Sequence, residues 1–314
     1  MASILLIENK ASTLISSMAA LSDTLSSTKS EYLLLADPTN VLTDSQLDNL
    51  RAAASLLEES DIAYISSNGD LSRDELANLD ADSLLNSIIN KSALSIAAIA
   101  CKKSTLQNII IAENESLAEI SLRLFAKAIS ASGKITAIDH SDTTAEEKEL
   151  SNGAFARSLS FLVEHFTIED MFPKHAWKEH SEESAAAAYH TLTAYFMRFE
   201  DYDSAGECLK LSEKFEESPR SLALRALIAF NKGETLGAVA NLVSSLQQYE
   251  ERKKSTTHYV KFSPQDIELI NDSLVSGLDA LNKRDNQRAL DFFAKAVFNF
   301  DAFYAQHGLE DIMQ

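Results

Sequence analysis

Residues 201–212 read DYDSAGECLKLS, and residues 234–245 read ETLGAVANLVSS. The second stretch follows the first by about 33 residues and keeps its order of alanine, leucine and serine. The equivalent positions are Ala205, Leu209 and Ser212 in the first copy and Ala238, Leu242 and Ser245 in the second. A polar turn and an amphipathic segment precede each copy. This repetition predicts successive helical hairpins in which small residues let the helices approach closely.

The pattern extends in both directions from this repeat. The preceding segments place Tyr189, Leu192 and Phe196, and then Leu222, Ala226 and Ala229, on helical faces. A third copy follows an insertion and carries Leu274, Gly277, Leu278 and Leu281, then Ala289, Phe293 and Ala296. Over residues 185–303 the spacing resembles the tetratricopeptide family. That resemblance implies a curved array whose concave face binds a peptide or a partner helix. The predicted partner-binding residues are His190, Tyr195, Arg198, Arg225 and Asn231.

The N-terminal half has a different pattern, with short apolar runs separated by amphipathic stretches. The runs predict strands at residues 4–7, 32–36, 62–65, 94–100 and 135–138, with a further possibility at 109–111. The stretches predict helices at residues 11–25, 45–59 and 116–130. Thr43 or Asp44 is the predicted N-cap of the second helix. Alternating strands and helices predict an α/β layer with a mostly parallel sheet.

Residues 31–47, EYLLLADPTNVLTDSQL, resemble the central strand and following helix of family-2 glycosyltransferases with a GT-A fold. Residues 92–106 are similar to the acceptor-side strand of that family. Leu122-Arg123-Leu124, followed by Gly133-Lys134-Ile135, resembles the helix that carries the catalytic base and the strand after it. The resemblance implies a sugar-nucleotide transferase whose divalent metal is held by an Asp-x-Asp motif. It places Asp37 at the first acid of that motif.

This sequence departs from the family pattern where the chemistry would occur. Thr39 stands at the second metal acid and Asn40 follows it, although two carboxylates are what hold a divalent cation against a diphosphate. The expected base position falls on Leu117, which carries no proton acceptor. We therefore predict a shortened pseudoenzyme that needs no cofactor. An active enzyme would use Asp37 with Glu113, Glu115 or Glu119 around Mn²⁺ or Mg²⁺.

Composition narrows the classes of function further. The chain has 314 residues and a formal net charge of −19, which disfavours nucleic-acid and membrane-surface binding. No apolar stretch is long enough to cross a bilayer. Cys101 and Cys208 are far apart, which predicts buried thiols rather than a disulfide or a zinc site. These features together predict a cytoplasmic protein without membrane insertion.

The expected organisation is a glycosyltransferase-like α/β domain over residues 1–142, a helical linker over 143–184 and a tetratricopeptide-like domain over 185–314. The expected function is that of a non-catalytic adaptor, which binds a partner protein within a protein- or surface-glycosylation system. Two alternatives stay open. One is an active metal-dependent glycosyltransferase, and the other is a structural subunit of a larger homo-oligomeric assembly. The sequence does not specify the oligomeric state.

Overall fold

The structure of the protein is a computed structural model with two compact units, Met1–Pro173 and Lys174–Gln314. It describes residues 4–8, 11–15, 30–36, 42–68, 78–91, 94, 96–107, 109, 116–144, 151–215, 218–252, 264–285, 288–289, 291–292 and 295–296. An α/β unit is thus followed by a helical unit, as the sequence predicts. Phe293 and most of the insertion before the third repeat lie outside the described residues.

The first unit contains a six-stranded sheet in the order β2-β1-β3-β5-β4-β6. Its strands are β1 Ile4–Glu8, β2 Ala11–Ile15, β3 Tyr32–Ala36, β4 Ile62–Asn68, β5 Ile96–Lys102 and β6 Ile135–Thr144. Its helices are α1 Asp44–Ala54, α2 Ala81–Ile89, α3 Lys103–Gln107, α4 Leu117–Ser130, α5 Asn152–His165 and α6 Ile168–Met171. The strands predicted at residues 4–7, 32–36, 62–65, 94–100 and 135–138 are all present. Of the further possibility at 109–111, Ile109 lies in a bend and residues 110–111 are outside the described part of the chain.

The prediction of a mostly parallel sheet is wrong. Within the described strands, β4 and β6 pair in parallel, whereas the β1–β2, β1–β3, β3–β5 and β4–β5 pairs are antiparallel. Strand β5 runs against both of its neighbours, although it is apolar and buried along nearly its whole length. A continuous apolar run reports that both faces of a strand are covered, and it carries no information about strand direction.

The helix predicted at residues 11–25 is also wrong over its first turn and a half. Residues Ala11–Ile15 form β2, which pairs with β1 from Glu8 and Ala11 at the near end to Ile4 and Ile15 at the far end. Pairing with an adjacent strand overrides the local helical pattern here, because backbone hydrogen bonds to a neighbour stabilise the extended form. Residues 16–25 lie outside the described part of the chain.

Helices cover the two faces of the sheet because the strand side chains alternate. On one face Leu34, Ala63 and Ile65 pack with Leu50 and Ala54 of α1. On the other face α4 contacts β4, β5 and β6, and the ring of Phe125 meets that of Tyr64 edge-on at 5.4 Å. Helices α2 and α5 pack on α4 from outside. The result is a layered α/β unit that includes α5.

Helix starts in this unit follow from local polar contacts. Thr43 is the N-cap of α1, as predicted, and it forms a reciprocal capping box with Gln46.

The start of β6 depends on Gly133, where an added Cβ would lie 2.3 Å from the carbonyl oxygen of Ser60. The Asp61 carboxylate accepts the Lys134 backbone N–H at 2.6 Å next to this contact. Close backbone approach at Gly133 therefore positions β6 beside β4.

The regular secondary structure described in the second unit is all helical, and it follows irregular residues 174–180. It contains α7 Ser181–Arg198, α8 Tyr202–Glu213, α9 Pro219–Asn231, α10 Thr235–Arg252 and α11 Pro264–Asn282. Helix α7 packs with α8 and α9 packs with α10, which gives two hairpins at the predicted positions. Their turns centre on Glu200, with φ of 63°, and on Gly233, with φ of 82°. These left-handed residues let each chain reverse within a few residues.

Candidate functional site

The two hairpins pack on each other, and equivalent positions in the two are buried. Helix α9 of the second hairpin contacts both α7 and α8 of the first. Ala205 and Ala238 are both fully buried. Leu209 and its equivalent Leu242 are nearly fully buried, and so are Ser212 and its equivalent Ser245. The Ser212 hydroxyl donates to the carbonyl of Ala186 at 3.3 Å, which holds α8 close to α7. The repeated small and apolar residues are thus buried at equivalent positions of both hairpins.

A buried histidine joins the first hairpin to the start of the second. His190 of α7 is 5% exposed, and its Nε2 lies 2.9 Å from the Ser221 hydroxyl oxygen. Ser221 also belongs to the capping box of α9, where its backbone N–H donates to the hydroxyl of Ser218 at 3.2 Å. His190 therefore contributes to the packing of α7 on the N-terminus of α9. The prediction that His190 lies on an exposed binding face is therefore wrong.

Further polar pairs join the hairpins near their surface. The Tyr202 hydroxyl donates to the Asn231 side-chain oxygen at 3.2 Å. Lys232 pairs with Asp203 at 2.6 Å. Together with the pairs below, these contacts orient the second hairpin on the first.

Arg225 of α9 pairs with Glu213 at the end of α8, at 2.5 Å. We call the four pairs His190–Ser221, Tyr202–Asn231, Asp203–Lys232 and Glu213–Arg225 the inter-hairpin set. Sequence reasoning missed Asp203, Glu213 and Ser221, because their partners are 12 to 31 residues away and such pairs leave no local signal. The sequence predicts that Arg225 and Asn231 bind a partner, whereas in the structure both side chains form contacts between the two hairpins.

The remaining predicted residues lie together on the last turns of α7. Arg198 is exposed, and Tyr195 is half-buried one turn earlier. Glu200 and the start of α8 follow directly, so this end of the hairpin presents a cation, an aromatic ring and an acid. By contrast, α9 is buried on most of its circumference, from Leu222 to Ala229. Of the two first helices, α7 and α9, α7 therefore offers the larger described surface to a partner.

Most catalytic and metal-binding candidates of the first unit lie outside the part of the chain that the structure describes. Asp37, Thr39, Asn40, Glu113 and Glu115 lie outside the described residues. Strand β3 ends at Ala36, directly before Asp37 in the chain.

Glu119, the remaining candidate base, is 8% exposed in the first turn of α4. Its Oε2 accepts the backbone N–H of Ser116 at 2.6 Å and lies 3.1 Å from the Ser116 hydroxyl. The carboxylate is therefore used in a reciprocal capping box. Leu117, at the position expected for the base, is completely buried.

Neither cysteine has the character of a reactive thiol. Both are free and buried, as predicted. Burial raises the pKa of the Cys101 thiol to about 12. Burial, with a smaller contribution from the nearby Asp201 and Glu207 carboxylates, raises the pKa of Cys208 to about 12 as well. Both thiols stay protonated at neutral pH, which removes their nucleophilicity.

Comparison of the chain with protein-family models, with curated proteins and with solved structures finds no match. Within the described helices, none is long and apolar enough to cross a membrane. The described side chains also contain no group of three His, Cys, Asp or Glu residues that could hold a metal ion.

Proposed function

We propose that the protein is a non-catalytic scaffold, and that its helical unit binds a partner protein. The observation that carries the proposal is the pair of stacked hairpins fixed by the inter-hairpin set. Stacked hairpins of this kind present a preformed surface, so a partner need not order them on binding. The alanine, leucine and serine positions that recur about 33 residues apart support a tetratricopeptide-type repeat.

The proposed contact region is the end of α7, with Arg198 at its centre. An exposed arginine beside an aromatic ring is a frequent anchor in protein interfaces, because it combines charge with a large flat contact area. A partner that docks here presents a carboxylate or a helix C-terminus to Arg198. The first unit then acts as a second recognition domain. Its resemblance to family-2 glycosyltransferases suggests a partner from a protein- or surface-glycosylation system.

Quantitative affinity capture with the full chain tests this proposal. Wild-type protein and two variants of equal charge change, Arg198→Glu and Lys214→Glu, are compared by mass spectrometry. Lys214 is an exposed cation at the C-cap of α8 and is the matched control. We expect Arg198→Glu to lower recovery of the specific partner by about tenfold, which corresponds to about 1.4 kcal/mol. Equal recovery with both variants would contradict a contact at Arg198.

An active glycosyltransferase is the second candidate, and one observation favours it. Strand β3 ends directly before Asp37 and α1 begins after the Leu42-Thr43 pair, which is the order of strand, acid and helix that the resemblance implies. Titration calorimetry with sugar nucleotides and Mn²⁺ separates the two candidates. Binding that Asp37→Ala abolishes would favour the enzyme and reject a purely non-catalytic role.

A further inference from the structure

A third helical hairpin begins with α11, and its turn repeats the geometry of the first two turns. Each turn contains one residue with positive φ, with values of 63°, 82° and 60° at Glu200, Gly233 and Arg284. The backbone N–H of the next residue donates to a carbonyl of the preceding helix, as Asp201 to Phe196, Glu234 to Ala229 and Asp285 to Ala280. The third turn is therefore equivalent to the second, and this fixes which residues of α11 correspond to those of α9.

Equivalent residues of α9 and α11 differ in burial. Leu224 and Leu227 of α9 are 1% and 3% exposed, in a helix that packs against α7, α8 and α10. Their equivalents in α11 are Val275 and Leu278, which are 66% and 44% exposed. Among the described residues, α11 packs against none of the helices α7–α10 as extensively as α9 packs against α7 and α8. The third hairpin is therefore not stacked on the second as the second is stacked on the first.

The polar pairs of the inter-hairpin set do not recur between the second and third hairpins. The residues at the equivalent positions are Ala223 and Asp272, Thr235 and Asn282, Leu236 and Lys283, and Leu246 and Ser276. In three of these pairs one residue is apolar, so no hydrogen bond or ion pair between the two side chains can form. Helix α10 also carries no Asp, Glu, Lys or Arg between Thr235 and Tyr249. This second junction therefore has apolar groups available but lacks the contacts that fix the first.

We propose that the third hairpin closes onto the second and reopens, and that the structure holds the open form. In the closed form Val275 and Leu278 are buried as their equivalents in α9 are, because successive copies of a repeat pack on each other in the same way. Leu236 is 69% exposed at the position equivalent to Asp203, so closing brings it to the end of α11 near Lys283. Burial of apolar surface favours closing, and the missing polar pairs leave reopening easy.

The consequence for function is an array of variable length. The closed form presents three stacked hairpins, whereas the open form presents two. A partner that contacts all three hairpins binds the closed form more tightly, and its binding shifts the population toward that form. This inference concerns the second junction and does not rest on the proposed contact at Arg198, which lies in the first hairpin. Partner capture through Arg198 and closure of the third hairpin can therefore fail separately.

Distance measurements between paired spin labels on the full chain test the two forms. One variant carries labelled cysteines at Glu207 and Ala240, and the other carries them at Ala240 and Asp291. These exposed positions are equivalent across the first and second junctions, and the native cysteines are buried. We expect one narrow distance distribution across the first junction and two across the second, the shorter of which matches the first. A single distribution across the second junction, whether short or long, would overturn the proposal.

Substitutions at the second junction test its chemistry in the same measurement. Leu278→Asp should lower the ratio of closed to open form about tenfold, because closing then removes a carboxylate from water. Leu236→Asp should give a ratio about threefold higher than Leu236→Asn, because only the acid can pair with Lys283 as Asp203 pairs with Lys232. The distance across the first junction should stay unchanged in all three variants. A ratio unaffected by Leu278→Asp, or equal ratios in Leu236→Asp and Leu236→Asn, would contradict closure at this junction.

Discussion

The sheet unit and the hairpin unit differ in how far along the chain their defining contacts reach. In the sheet unit, the contact between Asp61 and Lys134 that positions β6 beside β4 joins residues 73 apart. In the hairpin unit, His190 and Ser221 are 31 apart, about one repeat. A sequence repeat predicts which segments lie in contact, because each copy packs on the next. The sequences of strands do not show which strands pair in a sheet. The hairpins are therefore the more predictable half.

The largest expected effect on stability comes from removing a buried aromatic ring from the core of either unit. Phe125→Ala in α4 and Phe196→Ala in α7 each remove a ring that is at most 2% exposed. Each should destabilise its unit by about 3–5 kcal/mol, because the cavity only partly collapses. Hydrogen exchange should show lost protection in the unit that carries the change. Protection that falls first in the other unit would contradict the division after Pro173.

A pair of glycine substitutions sharpens the comparison at the level of the backbone. Gly133→Ala forces a methyl group against the Ser60 carbonyl and should cost about 1–3 kcal/mol or more. Gly237→Ala has open space and should stabilise the first turn of α10 by about 0.5–1 kcal/mol. Urea denaturation of both variants measures whether each substitution lowers or raises the free energy of unfolding. A neutral Gly133→Ala would show that β6 does not depend on this close approach.

Smaller effects are expected at Glu119, where two substitutions separate capping from catalysis. Glu119→Ala should destabilise α4 by about 1 kcal/mol, since the Ser116 N–H loses its acceptor. Glu119→Gln keeps the capping box and should leave the free energy of unfolding nearly unchanged. Thermal unfolding of both variants measures this difference. If Glu119→Gln retained stability but abolished a sugar-nucleotide-dependent activity, the carboxylate would have a catalytic role.

The smallest effect concerns the Asp203–Lys232 pair at the surface of the hairpins. Its hydrogen bond to Lys232 lowers the pKa of Asp203, and the same bond raises the pKa of Lys232. The Asp203 contribution is present above its ordinary pKa of 3.8 and is lost as the pH falls through the lowered value. The Lys232 contribution is present below 10.5 and is lost as the pH rises through the raised value.

The stability difference between wild type and Asp203→Asn should therefore be constant near neutral pH. It should disappear in acid and shrink with added salt, because the pair is exposed. Denaturation at several pH values measures it. A difference that grows as the pH falls below 3 would contradict the assignment of this pair.

Particular elements show what the sequence could predict. Strand β3 was located at its observed bounds, Tyr32–Ala36, because an uninterrupted apolar run between polar turns has few alternatives. The direction of β5 was not predictable, since burial on both faces gives the same composition in either direction. Residues 11–15 were misread because pairing with β1 is a tertiary contact.

The candidate site was less predictable than the fold. Helical spacing correctly placed Arg198 on an exposed turn, because periodicity follows from the helix itself. It could not show that His190 faces Ser221 or that Arg225 faces Glu213. A polar residue on a helix has the same periodicity whether it meets a partner protein or the next hairpin. Side-chain contacts between repeats are needed to distinguish the two.

The most direct test of the scaffold proposal compares both units in one affinity-capture measurement on the full chain. Wild type, Arg198→Glu and Asp37→Ala are captured in parallel, and recovery of the specific partner is quantified. The proposal predicts that Asp37→Ala retains the partner and that Arg198→Glu loses about nine-tenths of it, a tenfold effect. Loss of the partner with Asp37→Ala and full recovery with Arg198→Glu would contradict a scaffold centred on the hairpins.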